Sequence, residues 1–284
     1  DVSKYPGDVD SKITRVSKTF SFDRRVSKFT HYGWSPNWYL TQHTGLWAPA
    51  GAVITLTIGN GDVSNAYVRI NAQDDVLYTD GREINGSDQL KRFANVTTRT
   101  PLKIGAMQIR SQYGGFIQLE STQYADTTLS ITISDAVAGA YFNTATHTLS
   151  DWSAIKLIET PWVTIEGLRA VITVPRAQVA NLNDPISLMK YYDEHVQNIE
   201  WLAGFDGSDA RNPKIKLKQH LLYDPQIIAG YGHAGYPIMV SGDWTLASVS
   251  SAKSMWGNVH EIGHNYQPFS LWSSRYGTES NVNL

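Results

Sequence analysis

Residues 260–264 read His-Glu-Ile-Gly-His. On an α-helix, residues four apart stand one above the other, so His260 and His264 would present their imidazoles from one face, as ligands of a shared metal must. Zinc takes a small set of nitrogen and oxygen ligands and, where it is catalytic, leaves one position for water. Two histidines are too few for that shell. Glu279, the only glutamate after the motif, is separated from His264 by residues 265–278, a loop long enough to return a carboxylate to the same ion. Glu261, next to the first ligand, cannot share its direction and would face the water, where it is the candidate general base. With eight His and eight Glu in the chain, a His-Glu-x-x-His run arises by chance on the order of once in a hundred such sequences.

These residues need a helix to carry them. Ala252, Met255, Trp256, Val259 and Ile262 recur at steps of three and four, which places the motif on a helix over 251–266. Ser250 or Ser251 can cap its start, and Pro268 marks its end. Gly257, one turn before His260, leaves the edge beside the ligands bare, either for a strand or substrate to approach or for close helix packing. Upstream, Asp184-Pro185 opens a longer helix with Ile186, Met189, Tyr192, Val196, Ile199 and Leu202 on one face and Gly204 beyond it. Residues 168–174 read as a strand, 215–222 alternate weakly, and 226–229 are a short apolar run that could form a buried strand. Residues 229–237, Ala-Gly-Tyr-Gly-His-Ala-Gly-Tyr-Pro, predict a loop whose backbone approaches something closely. Tyr231, His233 and Tyr236 in this loop are candidate oxyanion or substrate contacts; a histidine satisfied within a loop network is the plainer reading of His233.

The first half has another character. Stretches 52–58, 66–70, 103–110, 116–120 and 128–133 are short, rich in β-branched residues and separated by Gly, Asn or Asp turns, the pattern of an antiparallel β-sandwich. Periodicity fades over 141–151. The chain therefore reads as an α+β, multidomain protein: a sandwich over 1–150, possible host to carbohydrate, and a second architecture over 151–284.

Its 284 residues suffice for one large or two ordinary domains. A net charge of −2, without long runs, argues against a nucleic-acid surface, and no stretch is apolar for long enough to span a bilayer. The absence of Cys removes disulfides and thiol catalysis. The sequence begins with Asp1 and shows no leader, which suggests a mature or trimmed chain. Low charge with nine Trp, fifteen Tyr and abundant Thr, Ser and Asn is compatible with a secreted protein acting on polar material.

Several stretches, in order, resemble the enhancin-like, mucin-degrading zinc peptidases, peptidase family M-60, of the gluzincin type. They are Thr44-Gly-Leu-Trp-Ala-Pro-Ala-Gly51, Tyr113-Gly-Gly-Phe116, Thr160-Pro-Trp162, the glycine-tyrosine loop 229–237, the metal helix 256–265, and Gly277-Thr-Glu279 followed by Asn281 and Asn283. The resemblance implies a β-sandwich preceding a gluzincin-like catalytic domain, Zn2+ on His260, His264 and Glu279, and secretion or display on the surface of a microbe. It also implies endopeptidase action on mucin-like O-glycosylated proteins in host–microbe interaction. The family pattern continues past the third ligand, whereas this sequence stops at Leu284, so the resemblance implies a catalytic domain cut short on its C-terminal side. The rival is a glycan-binding or adhesive module with an inactive or structural zinc site, supported by the aromatic run 32–39. An aminopeptidase with the same metal shell would need an acidic site for a free amine, and no motif supplies one.

Overall fold

The computed structural model describes residues 5–25, 40–77, 84, 87, 89–205, 207–208, 217–241, 256–267 and 277–283. The aromatic run 32–39, the expected caps Ser250 and Ser251, and Pro268 lie outside these residues.

Eight strands form the first sheet: β1 (Arg15–Asp23), β2 (Leu40–Ala48), β3 (Val53–Ile58), β4 (Ala66–Ile70), β5 (Thr98–Pro101), β6 (Gly105–Arg110), β7 (Gly115–Ser121) and β8 (Thr128–Ala138). All pairs are antiparallel, in the order β5-β4-β7-β2-β8-β3-β6, with β1 on β8. One core draws on both ends of this order: Val68 and Ile70 of β4, Ile117 and Leu119 of β7, Phe20 and Phe22 of β1, Ile54 and Leu56 of β3, and Leu129, Ile131 and Ile133 of β8. Period-two alternation puts these side chains on one face.

β8 then changes phase. Asp135 sits at φ +68° where the register with β1 slips, so Ala136 stays in the first core while Val137 turns into a second. Trp47 of β2 and Phe116 of β7 do the same, stacked edge to face at 5.1 Å. The ends of three strands are thus covered on both faces.

That second core belongs to a mixed six-stranded sheet: β9 (Ala140–Asn143), β10 (Trp162–Glu166), β11 (Ala170–Pro175), β12 (Gln219–Asp224), β13 (Gly232–His233) and β14 (Ile238–Ser241), ordered β13-β14-β12-β11-β10-β9. β9 and the helix α1 (Leu149–Ile155) occupy the stretch where periodicity fades; Thr148 and Asp151 close a capping box at the start of α1. The apolar run 226–229 is loop rather than strand, because its polar backbone is used elsewhere: Ile228 N–H donates to the Asp75 carboxylate.

Two helices complete the unit. α2 (Pro185–Leu202) begins where Asp184 accepts the Ser187 N–H at 2.9 Å and ends where Gly204, at φ +80°, lets Phe205 N–H reach Glu200 O at 2.7 Å. Its apolar face, Leu188, Met189, Tyr192 and Val196, is buried in the second core. α3 (Trp256–Tyr266) packs beside it, with Asn258 donating to Tyr192 Oη at 3.0 Å and Tyr266 Oη to Glu200 at 3.2 Å. A short helix, α4 (Gly277–Ser280), and a turn at Asn281–Asn283 close against α3.

Candidate metal centre

α3 presents His260 and His264 from one side, one turn apart, with their rings perpendicular at 4.7 Å. α4 brings Glu279 to the same point. His260 Nε2 lies 3.0 Å from Glu279 Oε2, His264 Nε2 lies 3.4 Å from that oxygen, and the two Nε2 atoms are 3.1 Å apart.

The ring tautomers follow from two amides. Asn283 uses its Nδ2 on the Glu279 carbonyl, so its Oδ1 faces His260 Nδ1 at 2.9 Å. Gln267 uses its Nε2 on the Gly277 carbonyl, so its Oε1 faces His264 Nδ1 at 3.1 Å. An amide oxygen accepts only, hence both Nδ1 atoms carry the proton and, in the neutral rings, both Nε2 atoms present a lone pair. Two lone pairs and a carboxylate oxygen then converge with no proton between them, which is repulsive unless a cation sits among them. Their separations suit it: ligands about 2.0–2.2 Å from a tetrahedral ion stand about 3.3 Å apart. Among the described residues this trio is the one group of His, Cys, Asp or Glu disposed to hold a metal. Glu279 is exposed while the histidines are buried, so the centre opens to solvent on the carboxylate side.

Glu261 is half-buried on the same helix and points elsewhere. Burial pushes its carboxyl above the usual range and the Glu279 carboxylate adds to it, while positive charge on His264, His260 or His233 would act the other way. The neighbouring wall is β13, the sheet edge. A Cβ on Gly232 would stand 3.4 Å from Glu261 Cγ and 3.7 Å from its Oε1, so the edge backbone runs directly past this carboxylate.

The glycine-tyrosine loop therefore comes to the centre, but its three candidates part ways. Tyr231 is exposed, and its carbonyl accepts Ser241 N–H at 2.8 Å. Tyr236 is buried in the second core, where its hydroxyl accepts from Gln219 Nε2 at 3.4 Å. His233 lies half-buried between, with Nε2 3.0 Å from Asp75 Oδ2 and Nδ1 3.1 Å from the Ala234 carbonyl. Gly257 occupies the first turn of α3 and is half-buried.

Sequence reading missed the residues that set this geometry. Asn265, fully buried, donates to Gln219 Oε1 at 2.8 Å and to the Gly235 carbonyl at 2.9 Å and accepts Gly235 N–H at 3.0 Å, tying the loop to the metal helix. Gln267 and Asn283 orient the imidazoles of His264 and His260. Each stands within three residues of a ligand or in the segment after it, the one signal that could have singled them out.

The family profile described as "Peptidase M60, enhancin and enhancin-like" matches residues 135–284, and that of the N-terminal domain of M60-like peptidases matches 12–134. A TRPM8 channel-associated factor homolog of Danio rerio is 32% identical over 249 residues, and TRPM8 channel-associated factor 1 of Homo sapiens is 26% identical over 253. The matches take in 85% and 87% of this chain but 26% of either relative, so the chain spans about a quarter of their length. Among solved structures, a conserved protein of unknown function from Bacillus anthracis superposes with a TM-score of 0.74 at 19% identity, over 94% of this chain and 54% of that one. ZmpB metallopeptidase from Clostridium perfringens gives 0.68 at 14%, over 92% and 56%. The M60 domain of ZmpC from the same organism, in complex with the sialyl T antigen, gives 0.66 at 15%, over 92% and 55%. With both profiles tiling the sequence and the first covering more than half of it, the chain belongs to the Peptidase M60, enhancin and enhancin-like family.

Proposed function

We propose that this chain carries the zinc centre of a secreted endopeptidase that hydrolyses mucin-like O-glycosylated proteins. The observation that carries the reading is the convergence of His260 Nε2, His264 Nε2 and Glu279 Oε2 beside a half-buried Glu261. Two imidazoles and one carboxylate are a donor set that suits zinc and leaves a position open. When bound, the metal supplies Lewis acidity toward a water and a carbonyl. Everything else falls to the chain. Glu261 accepts a proton from the attacking water and passes it to the leaving amine, and burial favours its protonated form after the transfer. Asn283 and Gln267 keep the imidazole protons on Nδ1. The edge of β13, which among the described residues pairs with β14 alone, offers backbone groups to an extended peptide running past Glu261.

The substrate class draws support from structural neighbours that hold sugars: ZmpC with the sialyl T antigen and IMPa from Pseudomonas aeruginosa with T-antigen. Substrates of that kind lie outside the cell, and secretion or surface display comes with them. Residues 1–150, read as a sandwich, would support the catalytic part and offer a surface to carbohydrate.

Glu261→Gln decides the mechanism. The variant is expected to retain zinc by elemental analysis and to lose about 10²–10⁴-fold in kcat on an O-glycosylated peptide. Undiminished turnover in the metal-loaded variant would remove Glu261 from its role. The names of the vertebrate relatives, channel-associated factors, favour a second reading in which the chain is a binding module and any zinc it holds is structural. A zinc-loaded wild-type chain that binds a T-antigen glycopeptide without cleaving it or its bare counterpart would establish that reading instead.

A further inference from the structure

β13 is two residues long and pairs, among the described residues, with β14 alone. A ladder so short cannot fix its own position, and what holds it comes from the connection between β4 and β5. Asp75, buried in the segment after β4, uses one carboxylate oxygen twice: Oδ2 accepts Ile228 N–H at 2.9 Å and His233 Nε2 at 3.0 Å. The carbonyl of Asp75 accepts Arg92 Nη2 at 3.0 Å. Arg92, also buried, places Nε 2.7 and 3.0 Å from the two oxygens of Asp224, where the same loop begins. The first unit therefore grips the chain at the end of β12, in the loop that follows and in β13, at positions 224, 228 and 233.

The grip also sets a charge. Both nitrogens of His233 face oxygens that only accept, the Asp75 carboxylate and the Ala234 carbonyl. A neutral ring would leave one lone pair against one of them, so the arrangement is satisfied by the imidazolium. The charged and titratable groups acting on the ring are Asp75 and, across β13, Glu261; the Arg92–Asp224 pair stands behind Asp75. Burial favours the neutral ring, but the hydrogen bond and charge of Asp75, the Ala234 carbonyl and Glu261 outweigh it and raise the pKa above the ordinary histidine value.

We propose that Asp75 is a positioning residue of the site: it fixes β13 and holds His233 as a cation beside Glu261, which makes the β4–β5 connection of the first unit part of the peptidase machinery. A fixed positive charge on this wall favours the negative charge that develops on a carbonyl oxygen during attack. The kinetic half of this inference rests on the peptidase reading; the structural half does not.

Asp75→Asn, His233→Gln and the double variant test it on the whole chain, with zinc content and melting temperature read beside kcat and KM on an O-glycosylated peptide. Each single change is expected to lower kcat by about 10–10²-fold with zinc retained, and the double variant to be no worse than the worse single one. Losses that multiply, or that follow zinc content, would overturn the coupling. A second readout needs no activity: 15N spectra of histidine-labelled chain at pH about 7.5, roughly one unit above the free histidine pKa. His233 is expected to be doubly protonated in the wild type and neutral in Asp75→Asn, and a neutral ring in the wild type would sink the proposal. A charged His233 in a chain that cleaves nothing would support the clamp and count against the peptidase reading alone. Should Asp75→Asn fail to fold, the wild-type spectrum and His233→Gln, at a partly exposed position, decide the matter.

Discussion

Asn283 and Gln267 each place an amide oxygen on a ligand imidazole and an amide NH2 on a carbonyl of the α4 segment, so tautomer and third ligand are set together. Partners of this kind typically hold about 10–100-fold of a site's metal affinity. Asn283→Ala, which leaves His260 Nε2, His264 Nε2 and Glu279 Oε2 in the chain, is expected to lower zinc affinity within that range in a chelator competition; an unchanged affinity would show that the His260 tautomer needs no partner. The meeting of His260 and His264 could be read from the sequence because a helix converts a spacing of four into a shared direction; that of Glu279 rested on its being the only glutamate downstream. Gln267 and Asn283 could not be read so, since their use depends on where the chain returns after 268–276. Asp75 was further out of reach: it meets His233 across 158 positions, and no local pattern marks such a pair.

At the scale of elements, α3 and the turn at Asn281–Asn283 meet over a bare spot. A Cβ on Gly263 would stand 2.6 Å from the Val282 carbonyl and 3.0 Å from Val282 Cβ, so this glycine allows the last segment to lie flat on the metal helix. Alanine in a helix interior gains about 1 kcal/mol over glycine. Here the backbone contact wins, because the obstructing atom is a carbonyl that cannot rotate away. Gly263→Ala is expected to displace Glu279 and Asn283 together and lower zinc occupancy while leaving helix content by circular dichroism unchanged. Full occupancy would mean that the turn shifts without carrying Glu279. On the metal-helix side of the molecule, backbone approaches are seen at Gly263, against Val282, and at Gly232, against Glu261. Long periodic elements, α2 and β8 among them, were legible from side-chain spacing. β9, β13 and α1 were not, for they are short and owe their places to partners distant in sequence or to a capping box.

At the scale of the molecule, the Arg92–Asp224 pair is wholly buried where the first unit meets the second sheet. Removing one member of such a pair leaves an uncompensated charge and costs about 3–5 kcal/mol. Arg92→Ala is expected to lower the melting temperature by several degrees, with both sheets lost in one transition by calorimetry and circular dichroism. Two separate transitions, with one unmoved, would show that the units fold independently.

The phase change in β8 carries a consequence for how this chain can vary. Consecutive residues Ala136 and Val137 serve different cores, and the two family profiles meet at 134 and 135, beside Asp135. A single-residue insertion or deletion within 134–137 would exchange the occupants of both cores at once, a double error that no neighbouring side chain can absorb. Length differences among homologues must then fall in the connections, and a graft that joins this first sheet to another member's catalytic half must take its junction within β8 in strict register, with Asp135 kept.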